Sequence, residues 1–275
     1  MKKVMDRMKK FLPLLLTLCV ICIIPTSCNS KTIKDAKVDE IRNTPITKHT
    51  IPYPSGYDTT SSGASSYDGI DDHTDSNYYK TLDVYNLKSK GSLTVISNFK
   101  TYQQTTEYTC GASSALMVLY HYGETTYDEL TIAKKSNTSN ETGVRVAGLK
   151  KFYKGIGWKI ESSTSKKMTF DYNNDVNAPI KFKDWVKKNL KAGKPIMVDW
   201  LDWNGHWQDI IAYDTMGTED NIGDDVIIMA DPYDTSDHYQ DGYYTVPAER
   251  FFYMWRESSS LTDEPDDQPW IIATP

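Results

Sequence analysis

A chain of 275 residues has room for one or two domains and a hydrophobic core of useful size. A net charge of −6, a pI near 5.4 and the lack of any basic stripe interleaved with aromatics argue against nucleic acid as the main partner. Aromatic residues are plentiful and every Trp lies beyond residue 100, which suits a secreted globular domain or a binding cleft without choosing between them.

The chain opens as a targeting segment. Lys2, Lys3, Arg7, Lys9 and Lys10 form a basic n-region, and Phe11 to Ile24 is an apolar h-region too short for a comfortable membrane span. It closes on Pro25-Thr26-Ser27-Cys28-Asn29, which resembles a bacterial lipobox, where the Cys is acylated and becomes the new N-terminus. Pro25 departs from the aliphatic residue usual at that place. Residues 1–28 are therefore expected to be a lipoprotein signal peptide with Cys28 as the lipidation site. The protein would then sit on the outer face of a bacterial membrane, or be secreted if cleavage is ordinary. Residues 29–77 are polar and rich in turn formers, as in Tyr53-Pro54-Ser55-Gly56-Tyr57-Asp58, and are expected to be a flexible tether.

The remaining stretch, 78–275, is expected to be one domain. Leu93–Phe99 predicts a strand and Cys110–Tyr122 a helix, apolar and free of Pro, with Thr109 as N-cap and Gly123 as its stop. Thr126–Lys135 and Gly143–Tyr153 predict two further helices, and Trp158–Ser162 a short strand. Phe182–Leu190 is amphipathic, with Phe182, Trp185, Val186 and Leu190 on one face. Strands then follow at Ile196–Leu201, His206–Tyr213, Asp225–Ala230 and Gly242–Val246, with a last helix over Pro247–Trp255. Helices first and antiparallel strands second predict an α+β domain.

Four cysteines are present, at 19, 22, 28 and 110. Two fall in the removed segment and one at the expected lipid site, so Cys110 is left as a candidate reactive thiol. Its place in the first turn of a helix exposes it to free backbone N–H groups and the positive end of the helix dipole, which favour an anion. Gln104, six residues upstream, could aim a carboxamide at the same place and stabilise an oxyanion; Gln103 is its neighbour and rival. Among the histidines, His49 and His73 fall in the tether and are expected to be solvated, and His238 lies in an acidic loop. His121 is about 16 Å along the helix from Cys110, too far to bond. His206 opens a strand after Asn204-Gly205, at a sheet rim where it can face the cysteine. Asp231 ends the adjacent strand, restricted by Pro232, and can orient the imidazole. Read singly, each of these is a common structural residue. Read together, they form a nucleophile–base–orienter set.

The Gln104-x5-Cys110-Gly111-Ala112 segment, the Gly205-His206-Trp207 strand and Asp231-Pro232 after an apolar strand resemble a papain-like cysteine peptidase. The nearest pattern is that of the peptidases that process double-glycine bacteriocin leaders, in a stand-alone secreted form. The resemblance implies a papain-like α+β fold, with the central helix packed on an antiparallel sheet. It implies Cys110 as nucleophile, His206 as general base, Asp231 as orienter and Gln104 as oxyanion donor. A peptide or protein would be the substrate, with no cofactor, and the protein would act as a monomer. No attached transporter is seen, which departs from the leader-processing pattern. Trp200, Trp203 and Trp207 would wall a cleft or pack the core. The acidic loops of 214–241 carry no EF-hand spacing, and the domain has too few His and Cys for zinc, so no metal is expected. The rival reading is a catalytically silent binding module on the same scaffold.

Overall fold

The computed structural model describes residues 49–67, 69, 72–73, 76–78, 82–165, 170–235, 238–256 and 268–275. Cys28 and the expected signal segment, residues 1–28, lie outside them. Seven strands form one sheet: β1 (Leu93–Val95), β2 (Lys159–Ser162), β3 (Ile196–Trp200), β4 (His206–Asp214), β5 (Val226–Ala230), β6 (Tyr243–Pro247) and β7 (Trp270–Thr274). Five α-helices accompany them: α1 (Cys110–His121), α2 (Glu129–Ser136), α3 (Val146–Gly155), α4 (Ala178–Lys191) and α5 (Ala248–Arg256). All strand pairs are antiparallel, in the order β2-β7-β3-β4-β5-β6. β1 extends the β3 edge of β4, pairing Leu93 with Asp214 and Val95 with Ala212. The expected α+β architecture is the one observed.

β4 is the hinge of the packing, because it is buried from His206 to Tyr213. Successive residues explain why. Trp207 faces α1, where a Cβ on Gly111 would lie 3.0 Å from its ring. Gln208 faces the other way and accepts from the Trp200 indole at 2.6 Å, and Trp200 packs on Phe251 of α5 at 5.2 Å. Strand residues alternate sides, so helices cover both faces. α1 is buried along Cys110–Leu119 and lies on the sheet beneath α2 and α3. On the far side Phe182 of α4 meets Phe251, Phe252 and Trp255 of α5 within 5.8 Å. Each such side chain contributes about 1.5–3 kcal/mol by leaving water.

Several boundaries moved for local reasons. β1 stops at Val95 because Asn98 turns the chain at φ 59 and both its backbone and side chain bond to the Tyr85 carbonyl. α2 begins at Glu129 rather than Thr126, since Asp128 caps it by accepting from the Thr131 N–H at 2.8 Å. α3 begins at Val146, because Gly143 closes a tight turn with Ser139 at φ 62. α1 ends as expected, with Gly123 at φ 81. β7, which sequence reasoning missed, fills the sheet between β2 and β3.

The larger correction concerns the tether. Residues 49–67 are docked on the domain and not a free spacer. Thr50 pairs with Thr101, Ile51 donates to the Thr101 carbonyl at 2.8 Å, and Ile51 enters the core at 3 % exposure. His49 is half-buried against Tyr85 and Tyr243 rather than solvated, and burial lowers its basicity. The segment is polar because its bonds to the domain are polar: Tyr53 reaches the Gln103 carbonyl, Ser62 the Thr105 carbonyl, and the Ser65 N–H the Gln104 carbonyl.

Candidate functional site

The loop from Tyr102 to Thr109 leads into α1 and delivers Cys110 at the first helical position, 8 % exposed and the free cysteine of the described residues. Gly111 follows it of necessity. A Cβ there would lie 2.3 Å from Val144 Cγ1, so a larger residue would push the start of α1 off the sheet. That close approach is fixed from the strand side as well. The Trp207 indole donates to the Val144 carbonyl at 2.8 Å, and Ser114 Oγ donates to the Trp207 carbonyl at 3.0 Å. The residue beside Trp207 is His206. The contacts that seat α1 therefore also set the cysteine–histidine approach.

His206 opens β4 opposite Trp200 and follows three residues with positive φ, Trp203 at 48, Asn204 at 66 and Gly205 at 112. This left-handed stretch, unfavourable for Trp203 and Asn204, turns the chain sharply into the strand. The imidazole is 3 % exposed. Its Nε2 is 2.6 Å from Asp231 Oδ1, and Cys110 lies near enough to the ring to raise its basicity. With Nε2 taken by Asp231, Nδ1 is the nitrogen left for the sulfur. Burial pulls the imidazole's pKa down, but the Asp231 charge, the Asp231 hydrogen bond and the Cys110 contact outweigh it, and the group is held well above its ordinary value.

Asp231, 2 % exposed, is held on every side. Its Oδ1 also accepts from the Tyr233 N–H at 2.8 Å, its own N–H donates to Gly242, and its carbonyl accepts from Gln103 Nε2 at 2.9 Å. Gln103 is thereby spent: its Oε1 accepts from the Asp234 N–H at 3.1 Å. Gln104 is placed differently. Its backbone N–H donates to the Pro232 carbonyl, and its Nε2 donates to the Thr106 carbonyl at 2.7 Å. A carboxamide has two N–H groups, so one remains, while Oε1 is buried without a partner. His206 and Asp231 are thus bonded, Cys110 lies beside the imidazole, and Gln104 sits in the loop before Cys110 without bonding to any of the three.

The other sequence candidates separate cleanly. His121 bonds the Gly193 carbonyl at 2.8 Å, far down α1. His238 meets His73, at 5.8 Å between rings. Trp200 and Trp207 are core residues, whereas Trp203 is 62 % exposed and stacks obliquely on Tyr233, whose ring stands edge-on to His206 at 6.5 Å. Sequence reasoning missed Tyr233 and Glu107, which bond at 2.9 Å beside the site, with Glu107 also accepting from the Gly63 N–H. It also missed Glu129, whose buried carboxylate takes its hydrogen bonds from the Tyr102–Thr109 loop. Nothing in their spacing marks them, since each pairs across 20 or more residues of chain. Among the described residues no group of three or more His, Cys, Asp or Glu side chains is arranged to hold a metal ion.

A thiol at a helix start beside a buried imidazole–carboxylate pair can support acyl transfer through a thioester. Comparison with known proteins bears on which lineage carries it. The profile described as the Peptidase_C39 like family matches residues 96–262, well over half of the chain. The chain belongs to the Peptidase_C39 like family. The matched region contains Gln104, Cys110, His206 and Asp231, and the α+β fold is that of the family. Among solved structures, the chain is similar to the peptidase domain of Streptococcus ComA, a bi-functional ABC transporter involved in a quorum sensing pathway. Identity is 19%, the TM-score 0.40, and the match covers 64% of this chain and 98% of that one. No match is found among the curated proteins. The docked segment 49–67 lies outside the region that the family profile covers.

Proposed function

We propose that this chain is a cysteine peptidase or amide hydrolase in which Cys110, His206 and Asp231 act as nucleophile, general base and orienter. The observation that carries the reading is the 2.6 Å bond from His206 Nε2 to Asp231, with Cys110 at the start of α1 beside the same imidazole. Proton transfer from Cys110 Sγ to His206 readies the sulfur for attack. The sulfur attacks the substrate carbonyl, and the oxyanion is held by the Cys110 N–H and the remaining N–H of Gln104. As the C–N bond breaks, His206 gives its proton to the departing amine and a thioester remains. Water then attacks the thioester while His206 takes its proton, releasing acid and restoring the pair. An amine in place of that water would make the same centre a transamidase. Gln104 rather than Gln103 fits the oxyanion role, since both ends of the Gln103 carboxamide are engaged.

The substrate in this reading is a peptide or protein, met outside the cell. Cys28, in its lipobox-like setting, would anchor the enzyme by an N-terminal lipid to the outer face of the membrane. One observation favours the rival reading of a silent binding module: Cys110, His206 and Asp231 are each 8 % exposed or less, so little of the centre faces solvent. Incubating the wild type and Cys110→Ala with a peptide library separates the two. New termini formed by wild type alone support the peptidase. Identical profiles from both, or none from either, would overturn it.

A further inference from the structure

The buried carboxylate of Glu129 takes no part in the chemistry above, yet it is tied to every part of the loop that carries it. Glu129 is the first residue of α2, with no exposure and no ion-pair partner among the described residues. A lone buried carboxylate costs several kcal/mol unless hydrogen bonds replace its water. Four do so, and all come from residues 102–109. Oε2 accepts from the Tyr102 hydroxyl at 2.9 Å and from Thr105 Oγ1 at 2.7 Å. Oε1 accepts from the Thr105 N–H at 2.9 Å and from Thr109 Oγ1 at 2.5 Å.

The Thr109 bond overrides a local preference. A threonine at the N-cap ordinarily turns its oxygen to the free N–H groups of the first turn. Here Thr109 makes no such bond, and its hydroxyl goes to Glu129 instead. A local rule broken at the start of the nucleophile's helix, for a carboxylate that must itself be buried, points to a positional demand. Thr105 follows Gln104 and Thr109 precedes Cys110, and one oxygen atom holds both.

We propose that Glu129 is a positioning residue: Oε1, by tying Thr105 to Thr109, fixes the separation between the oxyanion donor Gln104 and the nucleophile Cys110. The proposal rests on the peptidase reading. It predicts a defect confined to steps that form an oxyanion. Alkylation of the thiol forms none, and substrate affinity draws on other surfaces. Glu129→Gln should largely retain function. Its carboxamide oxygen can keep the Thr105 N–H and the Thr109 hydroxyl, and its NH2 can donate to the hydroxyls of Tyr102 and Thr105, which accept as readily as they donate.

The test uses the full chain, a fluorogenic Gly-Gly-aminomethylcoumarin peptide for turnover, and iodoacetamide labelling of Cys110 followed by peptide mapping. Glu129→Ala should lose about 30-fold to 100-fold in kcat, with KM and the labelling rate within about threefold of wild type. Glu129→Gln should recover kcat to within about fivefold of wild type. A Glu129→Ala kcat within about threefold of wild type would overturn the proposal. So would parallel loss of labelling and turnover, or a Gln variant as poor as Ala. Should Glu129→Ala not fold, Thr109→Val removes one leg of the clamp. It should cost about tenfold in kcat with labelling unchanged, and wild-type kcat there overturns the proposal equally. Failure of the peptidase reading itself looks different: wild type would neither turn over the peptide nor label rapidly.

Discussion

Asp209 lies in the middle of β4, opposite Met197 of β3 and Ala230 of β5, with no exposure and with neither carboxylate oxygen hydrogen-bonded. Burial lifts its pKa well above the usual carboxylate range. Nearby Tyr153, its hydroxyl turned to Met197 Sδ at 3.3 Å, has its pKa raised above the usual range, chiefly by burial. In the unfolded chain Asp209 titrates near 3.8. Above that pH the unfolded state has lost a proton that the native state still holds. Stability from this group is therefore full below the unfolded pKa and falls as pH rises, by about 1.4 kcal/mol per pH unit until the folded pKa is reached. Asp209→Asn keeps the size and polarity and removes the titration. Urea denaturation of both proteins should show the variant gaining on wild type by up to about 2.8 kcal/mol between about pH 4.5 and about pH 6.5. With an m-value of about 2 kcal/mol/M, the gap between midpoints grows by about 0.7 M per pH unit. Taking the difference cancels the other titrating groups. A gap constant across that window would mean that Asp209 is ionised in the fold, and the burial argument would be wrong.

The two adjacent glutamines should separate in kind. Gln104→Ala should lower kcat for amide hydrolysis by about 100-fold at unchanged stability; Gln103→Ala should instead lower the melting temperature, by freeing the Asp231 and Asp234 backbone, and thermal denaturation beside turnover reads both. Gly63→Ala should destabilise by about 2 kcal/mol or more, because φ is 69 and the new Cβ would lie 2.4 Å from the Gln104 carbonyl; wild-type stability there would show that the docked segment does not brace the loop. Cys28→Ser should leave the precursor uncleaved or release the protein from membranes, and mass spectrometry of the mature N-terminus would sink the anchor if it found an unmodified residue elsewhere.

Much of the site was legible in the sequence because its residues advertise themselves locally. The unbroken apolar run after Cys110 announces a buried helix, and the cysteine's place at its start needs no tertiary knowledge. His206 and Asp231 flank strands whose hydrophobic runs place them at a rim. What stayed hidden depends on pairing between distant polar groups. Residues 49–67 have the composition of a linker, yet Gly63, Ser62 and Ser65 bond to the loop of Gln104 some 40 residues on. Glu129, read from its own helix, is an acidic residue in a first turn where solvent exposure is the ordinary expectation. Its burial follows only from the loop folded over it. Gln103 and Gln104 are alike in sequence, and only the Asp231 and Asp234 backbone tells them apart. β7 escaped notice because it is a short strand near the chain end, far in sequence from the β3 edge that it completes.

The account stands on a charged pair between Cys110 and His206, and alkylation rate against pH reads that pair most directly. In wild type, iodoacetamide labelling of Cys110, followed by peptide mapping, should stay rapid at about pH 6 if Cys110 and His206 act as the proposed pair, since Asp231 raises the basicity of His206. His206→Ala should label at least about tenfold more slowly at that pH and recover only as the solution becomes alkaline. Equal, slow labelling of the two proteins at mildly acidic pH would contradict the account and leave Cys110 as a buried structural thiol.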